Sequence, residues 1–282
     1  MEKAFVLNEL REKRKLAFLV TGIKRGRAWR RPTTRLAFGL VGFACLGWAA
    51  DLHVDHVTVA VRDLQTMRAE FAAAGIRTEY GGKHTNGLTE MALASFADGS
   101  YLELIAAQDP KAGAARHYWG KFIDENAGPC AWAIFADDLD GMAKRLGAHV
   151  TESGRARPDG VMLRWRSASI GPEAQGTFLP FMIHDVTDRK LRAEPSGKPT
   201  MPEWRGVTAV YVAVKNLDEA VGAETARFAG TPVVLTSSDK GWVAERLEKF
   251  GEAPCAFVIA RSGKGGGKLR WLGIKGMRIG VR

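Results

Sequence analysis

The chain has 282 residues, 46% of them apolar, which is enough to bury a sizeable core in one or two domains. Its net charge of +10 invites an anionic partner, but residues 1–35 and 261–282 carry +8 and +7, leaving −5 for the body between them. A mildly acidic body argues against a nucleic-acid groove running through the fold.

The basic N-terminus leads into residues 36–50, fifteen residues without a charge. That is shorter than the ~20 residues that cross a bilayer, and it has the length and the small-residue end (Gly47, Ala49, Ala50) of a secretory signal. Residues 1–50 are therefore expected to be an export signal, giving a periplasmic or secreted protein, or to remain as an anchor through residues 36–50. No other membrane contact is expected. Cys130 and Cys255 lie beyond the leader; they would form a disulfide after export or stay as buried free thiols, and neither has a C-x-x-C partner for metal or redox chemistry.

Residues 54–64 (VDHVTVAVRDL) begin the body with a pattern that returns at 131–139 (AWAIFADDL) and 209–217 (AVYVAVKNL). Each copy is an alternating strand, an Asp or Asn suited to cap a helix (Asp63, Asp138, Asn216), and then a Leu that opens an Ala-containing helical stretch. The Leu recurs at 64, 139 and 217, spacings of 75 and 78 residues, so one supersecondary unit is used three times.

After the first helix come short strands at 76–80, 91–96 and 101–106, with a Gly/Asn-rich connection carrying His84 and an Asp98-Gly99 hairpin turn. The second copy follows an aromatic loop with Tyr118 and Trp119. Its later strands are expected at 149–152, 161–168 and 178–184, with a turn at Pro158-Asp159-Gly160. Both copies read β-α-β-β-β. Residues 191–204 contain Pro, Gly and Ser and read as a linker, and residues 205–282 read as a third, partial module ending in a basic, Gly-rich tail.

These segments resemble a known family. LHVDHVTVAVRDL at 52–64, GGKH at 81–84, FADGSYLELI at 96–105, RPDGVMLRWR at 157–166 and LPFMI at 179–183 are similar to the glyoxalase-like domain proteins of the vicinal oxygen chelate superfamily. The likeness spans about residues 52–190, with a weaker echo to about 235. It implies an α+β fold in which paired βαβββ modules (residues 51–190) form an open, barrel-like cavity, with the third module beside them. It also implies one divalent metal, with Zn, Ni, Mn or Fe suited to mixed imidazole and carboxylate donors. By position, His56 on the first strand and Glu103 on the fourth would be ligands, and Glu103 the catalytic group.

Alternation places His56, Thr58 and Ala60 on one strand face and Val57, Val59 and Val61 on the other; Tyr101 shares a face with Glu103. The second module departs from the pattern, with Ala131 opposite His56 and no carboxylate at 178–184. His184 is an expected third ligand if the strand register allows it, and His84, in a loop that could fold over the cavity, is another candidate. Arg164 and Arg166, on one face of a strand whose module is covered outside by its helix, are expected to form an anion-binding wall with His84 and Tyr101.

The expected function is that of a glyoxalase-like lyase, isomerase or dioxygenase acting on a small oxygenated organic molecule. A non-catalytic small-molecule-binding or resistance-type protein that has lost the metal is the alternative, and an interaction module built on exposed sheet edges a third. Self-association into a homodimer is left open.

Overall fold

The computed structural model describes residues 52–171, 175–228, 231–263 and 267–282. The leader with its apolar segment and Cys45 lies outside them. Among the described residues no helix is long and apolar enough to cross a membrane.

The first module runs β1 (Val54–Ala60), α1 (Leu64–Ala73), β2 (Glu79–His84), β3 (Thr89–Ser95) and β4 (Tyr101–Ala107). A short helix, α2 (Gly120–Asp124), leads to the second module: β5 (Gly128–Phe135), α3 (Leu139–Leu146), β6 (His149–Ala156), β7 (Met162–Ser169) and β8 (Phe181–Asp185). The eight strands close into a barrel in the order β1-β4-β3-β2-β6-β7-β8-β5. Two seams join the modules. β1 and β5 run antiparallel over most of their length, whereas β2 and β6 share only Lys83↔Ala156 and His84↔Arg155.

Local chemistry sets the helices. Asp63 Oδ1 accepts from the Thr66 amide at 2.7 Å, Asp138 Oδ1 from Gly141 at 2.9 Å, and Asn216 Oδ1 from Glu219 at 3.3 Å, so all three repeats use the expected cap. Gly147 closes α3 in a left-handed conformation, φ 66°, which a side chain would strain.

After β8, a one-turn helix, α4 (Arg189–Ala193), leads to β9 (Trp204–Ala213), α5 (Leu217–Phe228), β10 (Val233–Thr236), α6 (Gly241–Phe250), β11 (Ala253–Arg261), β12 (Arg270–Ile274) and β13 (Met277–Val281). These form a second sheet in the order β10-β9-β11-β13-β12. The stretch 191–204, read as a linker, is packed: Arg192, Ala193, Thr200, Met201 and Trp204 are buried, and Phe96 bridges to Met201.

The core follows from the repeat. Val57, Val59 and Val61, their counterparts Trp132, Ile134 and Ala136, and Val210, Val212 and Val214 all fall in one buried cluster. The apolar side of each repeated strand therefore meets the others outside the barrel, and the second sheet covers a wall that the module helices leave bare. Fully burying a large apolar side chain contributes roughly 1.5–3 kcal/mol, so this shared layer is what joins the second sheet to the barrel. Cys130 and Cys255 are both free and buried.

Candidate functional site

The other strand face points into the barrel. Inside lies a cavity of ≈ 690 Å³ of atom-free space, its mouth included. Glu103 from β4, His56 from β1 and His84 from β2 meet on one wall, with Arg155 of β6 and Arg192 of α4 among the other polar groups. Ile105, Trp119, Trp165, Phe181 and Ile183 supply an apolar portion.

Glu103 sits between two imidazoles. Its Oε2 is 3.7 Å from His56 Nε2, its Oε1 is 3.5 Å from His84 Nε2, and Thr58 Oγ1 donates to Oε2 at 3.1 Å. Both imidazole separations exceed hydrogen-bond length, so the carboxylate is held at one point by Thr58 and is open toward the cavity. Each imidazole is fixed from behind. His56 Nδ1 donates to Asp55 Oδ1 at 2.6 Å and the ring stacks on Tyr101 at 4.7 Å, while His84 Nδ1 lies 2.9 Å from Thr89 Oγ1. Burial lowers the His84 pKa, outweighing the pull of Glu103 in the other direction.

Asp55 is fully buried although it precedes His56 in the same strand. A register shift in the β1–β5 ladder between Val54 and His56 is the kind of bulge that re-aims side chains beside sites. Asp55 Oδ2 receives Arg192 Nη2 at 2.9 Å and also Arg189 Nη1; Arg192 bonds Asp185 Oδ2 at 2.9 Å and donates to the Tyr101 hydroxyl. Burial alone would raise the Asp55 pKa, but the two guanidiniums and His56 hold it well below the usual carboxylate range. Asp55 is thus an ionised acceptor that fixes His56 with its Nδ1 proton facing away from Glu103.

His117, which lines the cavity, accepts from the Trp119 amide at 3.1 Å, and burial first, then His84, lowers its pKa to about 4. Because the unfolded chain takes up this proton near pH 6.5 while the folded chain resists it, stability should fall as pH drops from 6.5 toward 4. The contribution approaches ~1.4 kcal/mol per pH unit for one proton. Urea midpoints at pH 7 and pH 5 should converge in His117→Asn; an unchanged difference between the two midpoints would refute this account.

The structure brings His56, His84, Tyr101 and Glu103 together and leaves three expected residues outside. Arg164 and Arg166 share the outer face of β7, where Arg164 is exposed and Arg166 forms a surface pair with Asp140 of α3 at 2.9 and 2.6 Å. The cavity face of β7 is Leu163, Trp165 and Ser167: the helix covers only part of the outer wall, so solvated arginines fit there. His184 also faces outward, donating from Nδ1 to the Ala136 carbonyl at 2.8 Å and stacking on Phe135; Phe181 and Ile183 hold the inward positions of β8. His84 ends a strand rather than riding a loop, because Gly81 and Gly82 form a bulged segment of β2. Arg155 was missed because β6 runs to Ala156, four residues past its expected end, and alternation alone does not say that the face of Ser153 and Arg155 is the inner one.

Beside His56, the second module offers Ala131 of β5 and Phe181 and Ile183 of β8, which carry no donor atoms. Among the described residues no group of three or more His, Cys, Asp or Glu is arranged to hold a metal ion. The second module therefore adds no ligand to the imidazoles and carboxylate of His56, His84 and Glu103, the residues that would hold a metal there.

A family model described as a glyoxalase-like domain matches residues 54–227, more than half of the chain, and the fold and cavity agree with it. The chain belongs to the glyoxalase-like domain family. Among solved structures it is similar to a hypothetical protein from Staphylococcus aureus, with TM-score 0.62 and 14% identity over 82% of this chain and 99% of that one. It also matches a xylose isomerase-like TIM barrel/4-hydroxyphenylpyruvate dioxygenase fusion protein (TM-score 0.43, 12% identity, 75% of this chain and 36% of that one). A third match is methylmalonyl-CoA epimerase from Mycobacterium tuberculosis (TM-score 0.33, 20% identity, 47% and 87%). The last two likenesses are too low to carry an argument. Comparison with curated proteins found no match.

Proposed function

We propose that this protein is an enzyme that takes a proton from carbon next to a carbonyl in a small oxygenated molecule held in the barrel cavity. The observation that carries this reading is the Glu103 carboxylate, buried at 7% exposure, bonded on one side by Thr58 and open to the cavity between two oriented imidazoles. A candidate base must reach the proton it removes, and its contacts commonly tighten only when substrate is bound. Glu103 takes the proton, and the C–H electron pair moves into the carbonyl to leave an enolate. Positive charge from the buried guanidinium of Arg155, which has no carboxylate partner among the described residues, favours that oxyanion. The proton then returns to carbon from Glu103, or a group β to the carbonyl departs; these are the isomerase and lyase outcomes.

Proton-deuteron exchange in heavy water, followed by nuclear magnetic resonance over a panel of small ketones, aldehydes and oxo acids, tests the step without knowledge of the final product. Glu103→Gln keeps the shape and should lower the exchange rate by roughly 10²–10⁴-fold. Exchange that persists unchanged in Glu103→Gln would remove Glu103 from the chemistry. Tight binding without exchange of any panel member would favour the non-catalytic binding protein instead.

A further inference from the structure

Arg155 is the feature of the cavity that the fold leaves unexplained. It is 1% exposed, projects from β6 into the cavity, and is among the largest fully buried side chains. Its Nη1 donates to the Gly81 carbonyl and its Nη2 to the Arg192 carbonyl at 2.6 Å. Both partners are neutral. No carboxylate forms an ion pair with it among the described residues, in contrast to Arg192, which has Asp55 and Asp185, and Arg157, which has Asp159. Buried charges are ordinarily paired, because an isolated one forfeits its hydration. Burial accordingly pushes the Arg155 pKa down to about 10, against the opposing pull of Tyr101 and Glu103, and it stays charged at neutral pH.

Resting on the cavity reading above, we propose that Arg155 is the anchor for a carboxylate on the ligand, so that the protein takes small carboxylic acids with a short apolar tail. Three features support this. The two backbone carbonyls use only part of the five-donor guanidinium fork, and a carboxylate matches that fork in shape and charge. The negative group already in the cavity, Glu103, repels a second carboxylate from its own wall, so the ligand's carboxylate is received by Arg155 instead. The apolar side, Ile105, Phe181, Ile183 and Trp165, then lies within the same cavity to receive a hydrocarbon tail.

The test uses isosteric pairs, phenylacetate against phenylacetamide and isovalerate against isovaleramide, with binding to the purified protein read by calorimetry and by thermal midpoint at constant ionic strength. A charge-assisted bond predicts that each acid binds at least about tenfold more tightly than its amide, and that Arg155→Met abolishes the preference. Arg155→Lys, which keeps the charge but not the fork, should lose most of it, and it serves as the comparison if Arg155→Met does not fold. Amides that bind as well as acids, acids that do not bind, or a preference unchanged in the Arg155 variant would each overturn the carboxylate assignment. None of these outcomes touches the exchange assay on Glu103, so failure of the ligand class and failure of the proton-transfer reading are separable.

Discussion

Asp55→Ala is expected to destabilise the protein by about 3–5 kcal/mol, because it strips a buried ion network of its central anion. Arg192, 2% exposed, would keep Asp185 but lose both oxygens of Asp55, and Arg189 would lose its shorter carboxylate contact. His56 would also lose the acceptor that fixes its ring. Urea denaturation of the two proteins at pH 7 measures the cost. The surface pair Asp140–Arg166 provides the contrast, with Asp140→Ala costing about 0–1 kcal/mol. The Asp55 pKa is depressed in the folded state, so its stabilisation is present above the ordinary carboxylate range and disappears as pH falls through the depressed value. An Asp55→Ala cost no larger than that of Asp140→Ala would show that the network is not what holds α4 against the barrel.

Gly82→Ala should open the narrower of the two module seams. Gly82 has φ +112°, and a Cβ there would stand 2.1 Å from the Ala156 carbonyl oxygen and 3.2 Å from its carbon. Those are backbone atoms of β6, in the very ladder that pairs Lys83 with Ala156 and His84 with Arg155. The conformational strain alone is of order 1–3 kcal/mol, and separating the strands adds the loss of a two-pair seam. Gly160, at φ +84° with nothing within 4 Å, isolates the strain: Gly160→Ala should cost about 1 kcal/mol. Denaturation midpoints rank the variants, and equal costs would mean that β2 and β6 tolerate separation. Since His84 and Arg155 face each other across this seam, carboxylate binding should weaken in Gly82→Ala along with stability.

Residues 54–64 show how far the sequence reaches. Period-2 alternation correctly assigns His56 and Thr58 to one face and Val57, Val59 and Val61 to the other, because pleat geometry is local. The same rule also separates Arg164 and Arg166 from Trp165 and Ser167. What it lacks is a direction: alternation says which residues share a face, and the neighbouring layers decide which face is inside. For β1 the apolar side settles the matter. On β7, Leu163 and Trp165 compete with Met162 as apolar markers, and the helix was given more of the outer wall than α3 covers. The glycines of β2 misled in another way, since residues that weaken ordinary strands here permit a close backbone approach that only the closed barrel requires.

The sequence by itself determined the repeated strand-cap-helix unit and which residues of β1 share a face, because capping, pleating and helical period act over a few residues; the pairing of His56 with Glu103 came from the family resemblance. The tertiary structure alone decided that Arg155, Arg192 and Asp55 join that pair while Arg164, Arg166 and His184 do not. Those memberships depend on barrel closure, on a bulge at Asp55 and on a one-turn helix returning from residue 192 to residue 55. Contacts of that sequence separation are set by how the layers pack, and no local pattern records them.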